Sequence, residues 1–293
     1  MINHFRKTTL NDIHLVNCIE KSIEENKQFN NEINILEVGC GSGTFLVYMI
    51  ERLIKKFNHI NFSFYGFDID ESELTLKDQS NNTHLNELIS LLNIKYPNHD
   101  WAKRVRLIKE TDEWHDQESY FDFIISNQVL EHVHNKEVFF QKLKRYLKRN
   151  GNSFHLAPLS SCLLEWHIFI PFAHWPKSIN NKVLIIRMFY FLKSPIKYFK
   201  EYNKYQILIK KESNFLQTNT SYSSTGDYKK LCLKNSLKLN LKYTYAYYLI
   251  KICTILKLDI NKYNFYNNSF LLHYLSYFIC SLTASVTLNI KNT

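Results

Sequence analysis

The stretch Ile35-Leu36-Glu37-Val38-Gly39-Cys40-Gly41-Ser42-Gly43 runs from an apolar segment into three glycines at every second position. Residues 33–38 (INILEV) read as a buried strand, since a short apolar run bounded by glycine suits a strand covered on both faces. The glycines allow a sharp bend and the close approach of a ligand, where any Cβ would obstruct it. Beyond them, Phe45, Val47, Tyr48, Ile50, Leu53, Ile54 and Phe57 recur at helical spacing. The turn therefore lies beside the unsatisfied N–H groups of a helix start. Turns of this kind serve NAD, FAD and phosphate alike. Two details count against a dinucleotide: Gly43 follows Gly41 by two residues instead of three, and Thr44 stands where the fingerprint wants Gly or Ala. No GxxxxGK[ST] occurs, which excludes a P-loop.

Working outward, residues 9–28 read as a helix behind the capping candidates Thr9 and Asn11. Strands are expected at 61–67, 104–108, 121–126 and 152–157, with a basic helix at 136–149 closed by Asn150-Gly151. Strands alternating with helices predict an α/β fold with a doubly wound parallel sheet. In the second half, 221–240 reads as a turn and helix with Asp227 at its N-terminus, followed by a strand near Lys238–Tyr245. The stretch Phe270–Val286 is too polar and too short for a membrane span and reads as a packed helix running into a strand.

Composition narrows the class. Of 293 residues, 45% are hydrophobic and 15% aromatic, which excludes disorder over most of the length. The six cysteines stand far apart without a CxxC pair, so neither a disulfide framework nor a cysteine zinc site is expected. No metal is expected, and with no signal-peptide core at the N-terminus the expected location is cytoplasmic. The net charge of +10 is unevenly placed: residues 1–150 hold 19 Lys/Arg against 22 Asp/Glu, whereas 151–293 hold 18 against 5. A basic, aromatic second half points to an anionic partner.

Later pieces sharpen the reading. Gly66-Phe67-Asp68 ends the second strand with a carboxylate able to accept two hydrogen bonds from a ribose diol. A plain helix-capping role for Asp68 is the competing reading. Phe121-Asp122-Phe123-Ile124-Ile125-Ser126-Asn127, then Leu130-Glu131-His132-Val133, then Leu147–Gly151 follow in order. In this combination residues 33–158 resemble the class I S-adenosylmethionine-dependent methyltransferases. The resemblance implies a Rossmann-like seven-stranded sheet whose last hairpin is antiparallel, with 284–290 (ASVTLNI) as its closing strand. It implies a cofactor-binding α/β core at 1–158, and at 159–293 a substrate-side insertion or lid, a helical, basic and aromatic elaboration, and the closing strands of the same domain. It further implies that Gly39, Cys40, Gly41 and Gly43 line the methionine part of S-adenosyl-L-methionine, with Glu37 orienting the loop. Asp68 would hold the ribose and Ile69 would pack on adenine. Glu110, beside Thr111, would meet the adenine amine, with Asp112 competing and Trp114 as apolar anchor. Asn127 and Gln128 would face cofactor and acceptor.

Candidate bases are His132, His167 and His174, since neutral imidazole takes a proton near neutral pH. His132, one turn into an expected helix, reads first as a packing residue beside the loop, and His167 and His174 equally suit packed or surface positions. Cys40 reads as a filler and Glu131 receives no chemistry. Resemblance of EVGCGSG, FDFIISNQVLEHV and His174-Trp175-Pro176 to methyltransferases of surface-polysaccharide pathways implies O-methylation of a sugar or other small molecule, free or lipid-linked. The segment 181–205 reads as a lid, as a surface for anionic lipid at the inner face of a membrane, or as a nucleic-acid contact. RNA is the alternative acceptor. A non-catalytic membrane-apposed partner protein with this fold is the reading from another class. The absence of Asn-Pro-Pro-Tyr argues against methylation of the exocyclic amines of DNA bases or of glutamine.

Overall fold

The computed structural model describes residues 8–26, 32–41, 43–68, 89–90, 92–108, 114–258 and 269–293. In chain order its elements are α1 (Leu10–Glu25), β1 (Glu32–Val38), α2 (Thr44–Lys56), β2 (Asn61–Phe67), α3 (Trp101–Arg104), β3 (Val105–Ile108) and β4 (Phe121–Asn127). Next come α4 (Lys136–Tyr146), β5 (Leu147–Ala157), β6 (Leu164–Glu165), β7 (Ile170–Pro171), α5 (Ile179–Lys193), α6 (Pro195–Lys200) and α7 (Tyr202–Thr218). The chain continues through α8 (Thr225–Lys234), β8 (Leu237–Asn240), α9 (Thr244–Ile255), α10 (Phe270–Thr283) and β9 (Val286–Asn292).

Seven strands form one sheet in the order β3-β2-β1-β4-β5-β9-β8. The pairs among β1 to β5 are parallel, and β9 runs antiparallel between β5 and β8. This is the doubly wound, Rossmann-like α/β arrangement with an antiparallel end. The apolar runs explain it: β1 and β4 carry Ile33, Ile35, Leu36, Val38, Phe121, Phe123, Ile124 and Ile125, all fully buried, as strands covered on both faces must. The strand order reverses between β1 and β4, so a crevice opens outside their carboxyl ends, where ligands bind in such sheets.

Local signals set the helix ends. Thr9 caps α1 through a reciprocal capping box with Asp12, which leaves the other capping candidate, Asn11, inside the helix. Ser224 and Asp227 form the same box at α8. The expected helix at 136–149 is shorter than its pattern, ending at Tyr146. Leu147 already pairs with Phe121, and the sheet register then shifts before Asn152 meets Phe123. Asn150 sits in the left-handed region (φ 65), and a Cβ on Gly151 would lie 2.9 Å from the Lys148 carbonyl oxygen. This bulge thus depends on the Asn-Gly pair. The expected strand near Lys238–Tyr245 stops at Asn240, because Tyr243, Tyr247 and Ile250 bury at helical spacing on α9. The closing strand is β9, displaced by two residues from 284–290.

Two histidines sit in the core. His14 Nε2 lies 2.8 Å from Thr287 Oγ1, and His155 Nδ1 lies 2.7 Å from Ser126 Oγ. Burial pushes both down to about 3. A satellite core of Ile170, Ala173, Ile186, Tyr198, Ile209 and Leu216 joins the β6–β7 hairpin to α5, α6 and α7. Among the described residues no helix is long and apolar enough to cross a membrane, and the six cysteines are free and buried.

Candidate active site

The loop after β1 is fastened over the end of β2: the N–H groups of Gly39 and Cys40 both donate to the Phe67 carbonyl, at 2.6 and 3.1 Å. Gly39, Gly41 and Gly43 all have positive φ (76°, 48° and 75°). A Cβ on Gly39 would come within 2.3 Å of Val129 Cγ2, whereas among the described residues nothing lies within 4 Å at Gly43 and only Asp68 Oδ2 does at Gly41, at 3.8 Å. The loop is therefore pressed against the β4 turn on one side and open on the other. Gly43 is the N-cap of α2, and no side chain caps that helix, so its first turn presents N–H groups towards the loop. The Gly41 N–H donates to Asp68 Oδ2, which holds that carboxylate at the mouth.

A cavity of about 540 Å³ opens from this loop. Gly39, Asp68, Asn127, Gln128 and Val129 form one wall, and His132, Val133, His134, Phe215, Thr218 and Asn219 form the other. A recess of about 390 Å³ shares His132, Val133 and His134 with it and runs on to Val38, Phe67, Trp114, Val138 and Lys142. Trp114 is buried there, 6.1 Å from the Phe67 ring and under the Lys142 ammonium. An open glycine cradle, a carboxylate and an aromatic recess in sequence fit an amino-acid end, a ribose and a flat base. The residues present thus fit S-adenosylmethionine.

The other expected positions divide. Glu37 is buried at the end of β1. Cys40 is buried beside the loop, and burial, then the Glu37 and Asp68 carboxylates, push its thiol well up. Asn127 reaches the cavity but is tied to α1, accepting from Asn11 Nδ2 at 3.2 Å and donating to Asp12 Oδ1 at 3.1 Å. Gln128 has φ 57 and donates to Ser285 Oγ at 2.8 Å. Ile69, Glu110, Thr111 and Asp112 lie outside the described residues.

The histidines come together in a way their spacing conceals. His132 lies in a turn and not within a helix, since α4 begins only at Lys136. Its Nδ1 is 2.7 Å from the Asn219 carbonyl oxygen and its Nε2 is 3.2 Å from His167 Nε2. His167 Nδ1 lies 2.6 Å from Glu165 Oε1, and the Tyr222 hydroxyl donates to Glu165 Oε2 at 2.7 Å. Burial works against ionisation of Glu165, yet hydrogen bonds from His167 and Tyr222 outweigh it and hold the carboxyl below its usual range. The bond to Glu165 raises His167, while burial lowers His132. His174 stands behind this row, its Nδ1 3.4 Å from Glu165 Oε2 and its side chain 2% exposed, away from the cavity lining. Burial lowers it. Glu131 lies alongside, 1% exposed, and burial raises its carboxyl to about 7. Glu165, Tyr222, Phe215 and Asn219 carry no mark in the sequence. The spacing of Glu165 and His167 by two residues is the one signal that offered a link.

A model of the methyltransferase domain family matches residues 4–203, over half of the chain. A stretch of 183 residues is 28% identical to the probable polyketide synthase 10 of Dictyostelium discoideum, covering 59% of this chain. The chain spans only 7% of that relative's length. Among solved structures it is similar to a geranyl diphosphate C-methyltransferase from Streptomyces coelicolor, at 10% identity and a TM-score of 0.45, covering 94% of this chain and 77% of that one. An S-adenosylmethionine-dependent methyltransferase from Mesorhizobium loti is similar at 11% identity and a TM-score of 0.46, covering 89% and 91%. With the family model spanning the glycine loop and the parallel strands β1 to β5, the chain belongs to the methyltransferase domain family, as a class I S-adenosylmethionine-dependent methyltransferase.

Proposed function

We propose that the chain methylates a hydroxyl group of a small molecule, a sugar or a lipid-linked saccharide, held between the glycine loop and the row His132–His167–Glu165. The observation that carries this is that His132, which lines the cavity together with Gly39 and Asp68, is backed by His167 and Glu165. When bound, S-adenosylmethionine supplies a methyl group on a sulfonium, already electrophilic. Gly39, Gly41 and Gly43 would hold its amino-acid end, Asp68 its ribose, and Val38, Phe67 and Trp114 its base. The remaining task is to orient an acceptor oxygen and remove its proton. His167 suits it: Glu165 accepts from Nδ1, which leaves the Nε2 lone pair facing His132 at the cavity edge. His132 shares that edge, and Phe215 covers it from the end of α7.

A second feature favours a membrane-borne acceptor. On α5 to α7, Leu184, Met188, Leu192, Ile196, Phe199 and Ile207 are more than half exposed, interleaved with Arg187, Lys193, Lys197, Lys200 and Lys204. Apolar side chains among cations suit the headgroup region of an anionic bilayer. Co-sedimentation with vesicles containing phosphatidylglycerol tests this. Pelleting that is equal with neutral vesicles, or absent, defeats it.

The decisive measurement is calorimetric titration of S-adenosylmethionine and its demethylated product into the wild type and Asp68→Ala. Micromolar affinity, about −8 kcal/mol, falling at least about tenfold in the variant supports the cofactor assignment. Unchanged affinity in Asp68→Ala removes the ribose role.

A further inference from the structure

We propose that Glu131, His132 and His167 form a binding site for one divalent transition-metal ion, zinc foremost, open towards the acceptor side of the cavity. One ligand atom from each of the three lies within 4.8 Å of the others. Glu131 is buried and the two imidazoles are exposed, so the cluster has a closed floor and an open face.

The ring nitrogens supply the argument. The Asn219 carbonyl can only accept, so His132 Nδ1 carries the proton at their 2.7 Å contact. Glu165 accepts from the Tyr222 hydroxyl and from the His167 backbone N–H, and the same carboxylate takes the proton of His167 Nδ1 at 2.6 Å. With both Nδ1 atoms donating, both neutral rings present Nε2 lone pairs, and these face each other across 3.2 Å. Two lone pairs at that distance require a positive centre. Glu131 adds a third electron-pair donor: among the described residues its carboxylate oxygens have no hydrogen-bond partner beyond its own backbone amide. A single proton between the imidazoles would satisfy the nitrogens and leave Glu131 unmatched, whereas a divalent cation satisfies all three.

The dimensions agree. Zinc–nitrogen bonds of about 2.0–2.1 Å put tetrahedral ligand atoms roughly 3.3 Å apart, beside the 3.2 Å observed. Two imidazoles, one carboxylate and an open position make the composition of a zinc site with a free coordination place. Histidine ligands donate their other N–H to a carboxylate or backbone carbonyl, and here Glu165 and the Asn219 carbonyl fill those two places. The ligands come from two segments, the turn after β4 and the β6–β7 hairpin, so no spacing rule reveals them. An acceptor hydroxyl in the open position would be acidified by the ion and would lose its proton to solvent, so that His167 would act as a ligand and not as the base. That acidification rests on the cavity being the acceptor site. The metal site itself does not.

The test uses the full chain, stripped with a chelator and kept free of S-adenosylmethionine, so that cofactor binding and metal binding fail separately. Titration with Zn²⁺ against a competing chelator is expected to show one equivalent bound, and Co²⁺ a tetrahedral visible spectrum. Glu131→Gln and His167→Asn should each weaken binding at least about tenfold, and Glu165→Gln about tenfold through loss of the supporting hydrogen bond. X-ray absorption of the zinc-loaded wild type should count two imidazoles and needs no variant to fold. Failure of the folded wild type to bind, fewer than two imidazoles, or undiminished affinity in Glu131→Gln/His167→Asn would overturn the site.

Discussion

One wall of the cavity is backbone and the other is side chains. On the cofactor wall, Gly39, Gly41 and Gly43 take positive φ within five residues of sequence, and the N–H groups of Gly39 and Cys40 tie the loop to β2. On the proposed acceptor side, His132 and Asn219 line the cavity with Glu165, His167 and Tyr222 behind them, and these residues come from separate segments that meet only through folding. The first wall is therefore specified locally: Gly39 has no room for a Cβ, and the positive φ of Gly41 and Gly43 strains any other residue there. The second is specified by tertiary packing, and all its members except Asn219, which acts through its backbone carbonyl, can be exchanged for an isostere.

Substitutions on the two walls should separate accordingly. Gly39→Ala meets Val129 within 2.3 Å at a φ of 76°. It should weaken S-adenosylmethionine by about 100-fold or more, about 2.7 kcal/mol, in calorimetry. Glu165→Gln should reduce turnover by about 100-fold, the scale of proton-transfer catalysis, while cofactor affinity stays within about twofold. A matching loss of cofactor binding in Glu165→Gln would show the walls to be coupled.

Acid should act on both walls together, because His14 and His155 lie in the core that supports them. Their folded values, about 3, are depressed below the ordinary 6.5. Stability is thus fully present above pH 6.5 and falls as pH drops towards 3, by up to about 1.4 kcal/mol per pH unit for each histidine. Urea midpoints measured at pH 7.5, 6 and 5 should decline in that order. A flat profile would mean that neither ring is held neutral by burial. The smallest effect belongs to the edge of the acceptor wall: Phe215→Ala should raise the acceptor KM by about tenfold or less and leave cofactor affinity unchanged.

The same contrast explains what the sequence revealed. Strands β1, β2 and β4 and helices α1 and α2 were legible because their apolar periods are unbroken, and Thr9-x-x-Asp12 marks a helix start in four residues. The glycine loop was legible because its whole chemistry lies in nine consecutive residues. Of the proposed acceptor side only the histidines were legible, and not their partners. The turn carrying His167 has Phe169 and Phe172 at φ 56 and 61, where glycine or asparagine would have announced a reversal. Asn150-Gly151 looked like the end of a helix, but the pair instead forms a bulge within a strand that had begun at Leu147. Glu131 looked like an ordinary helix carboxylate because burial without a partner cannot be read from its neighbours in sequence.

The position of β9 has a consequence for synthesis. β5 finishes at Ala157, yet its antiparallel neighbour begins only at Val286. While the ribosome makes everything between them, the outer edge of β5 has unpaired N–H and C=O groups beside buried Phe154 and Leu156. Such an edge invites pairing with a foreign strand. The nascent chain should therefore depend on shielding of that edge by a chaperone or by its own later helices, and ribosome stalling between these two strands should leave an aggregation-prone fragment.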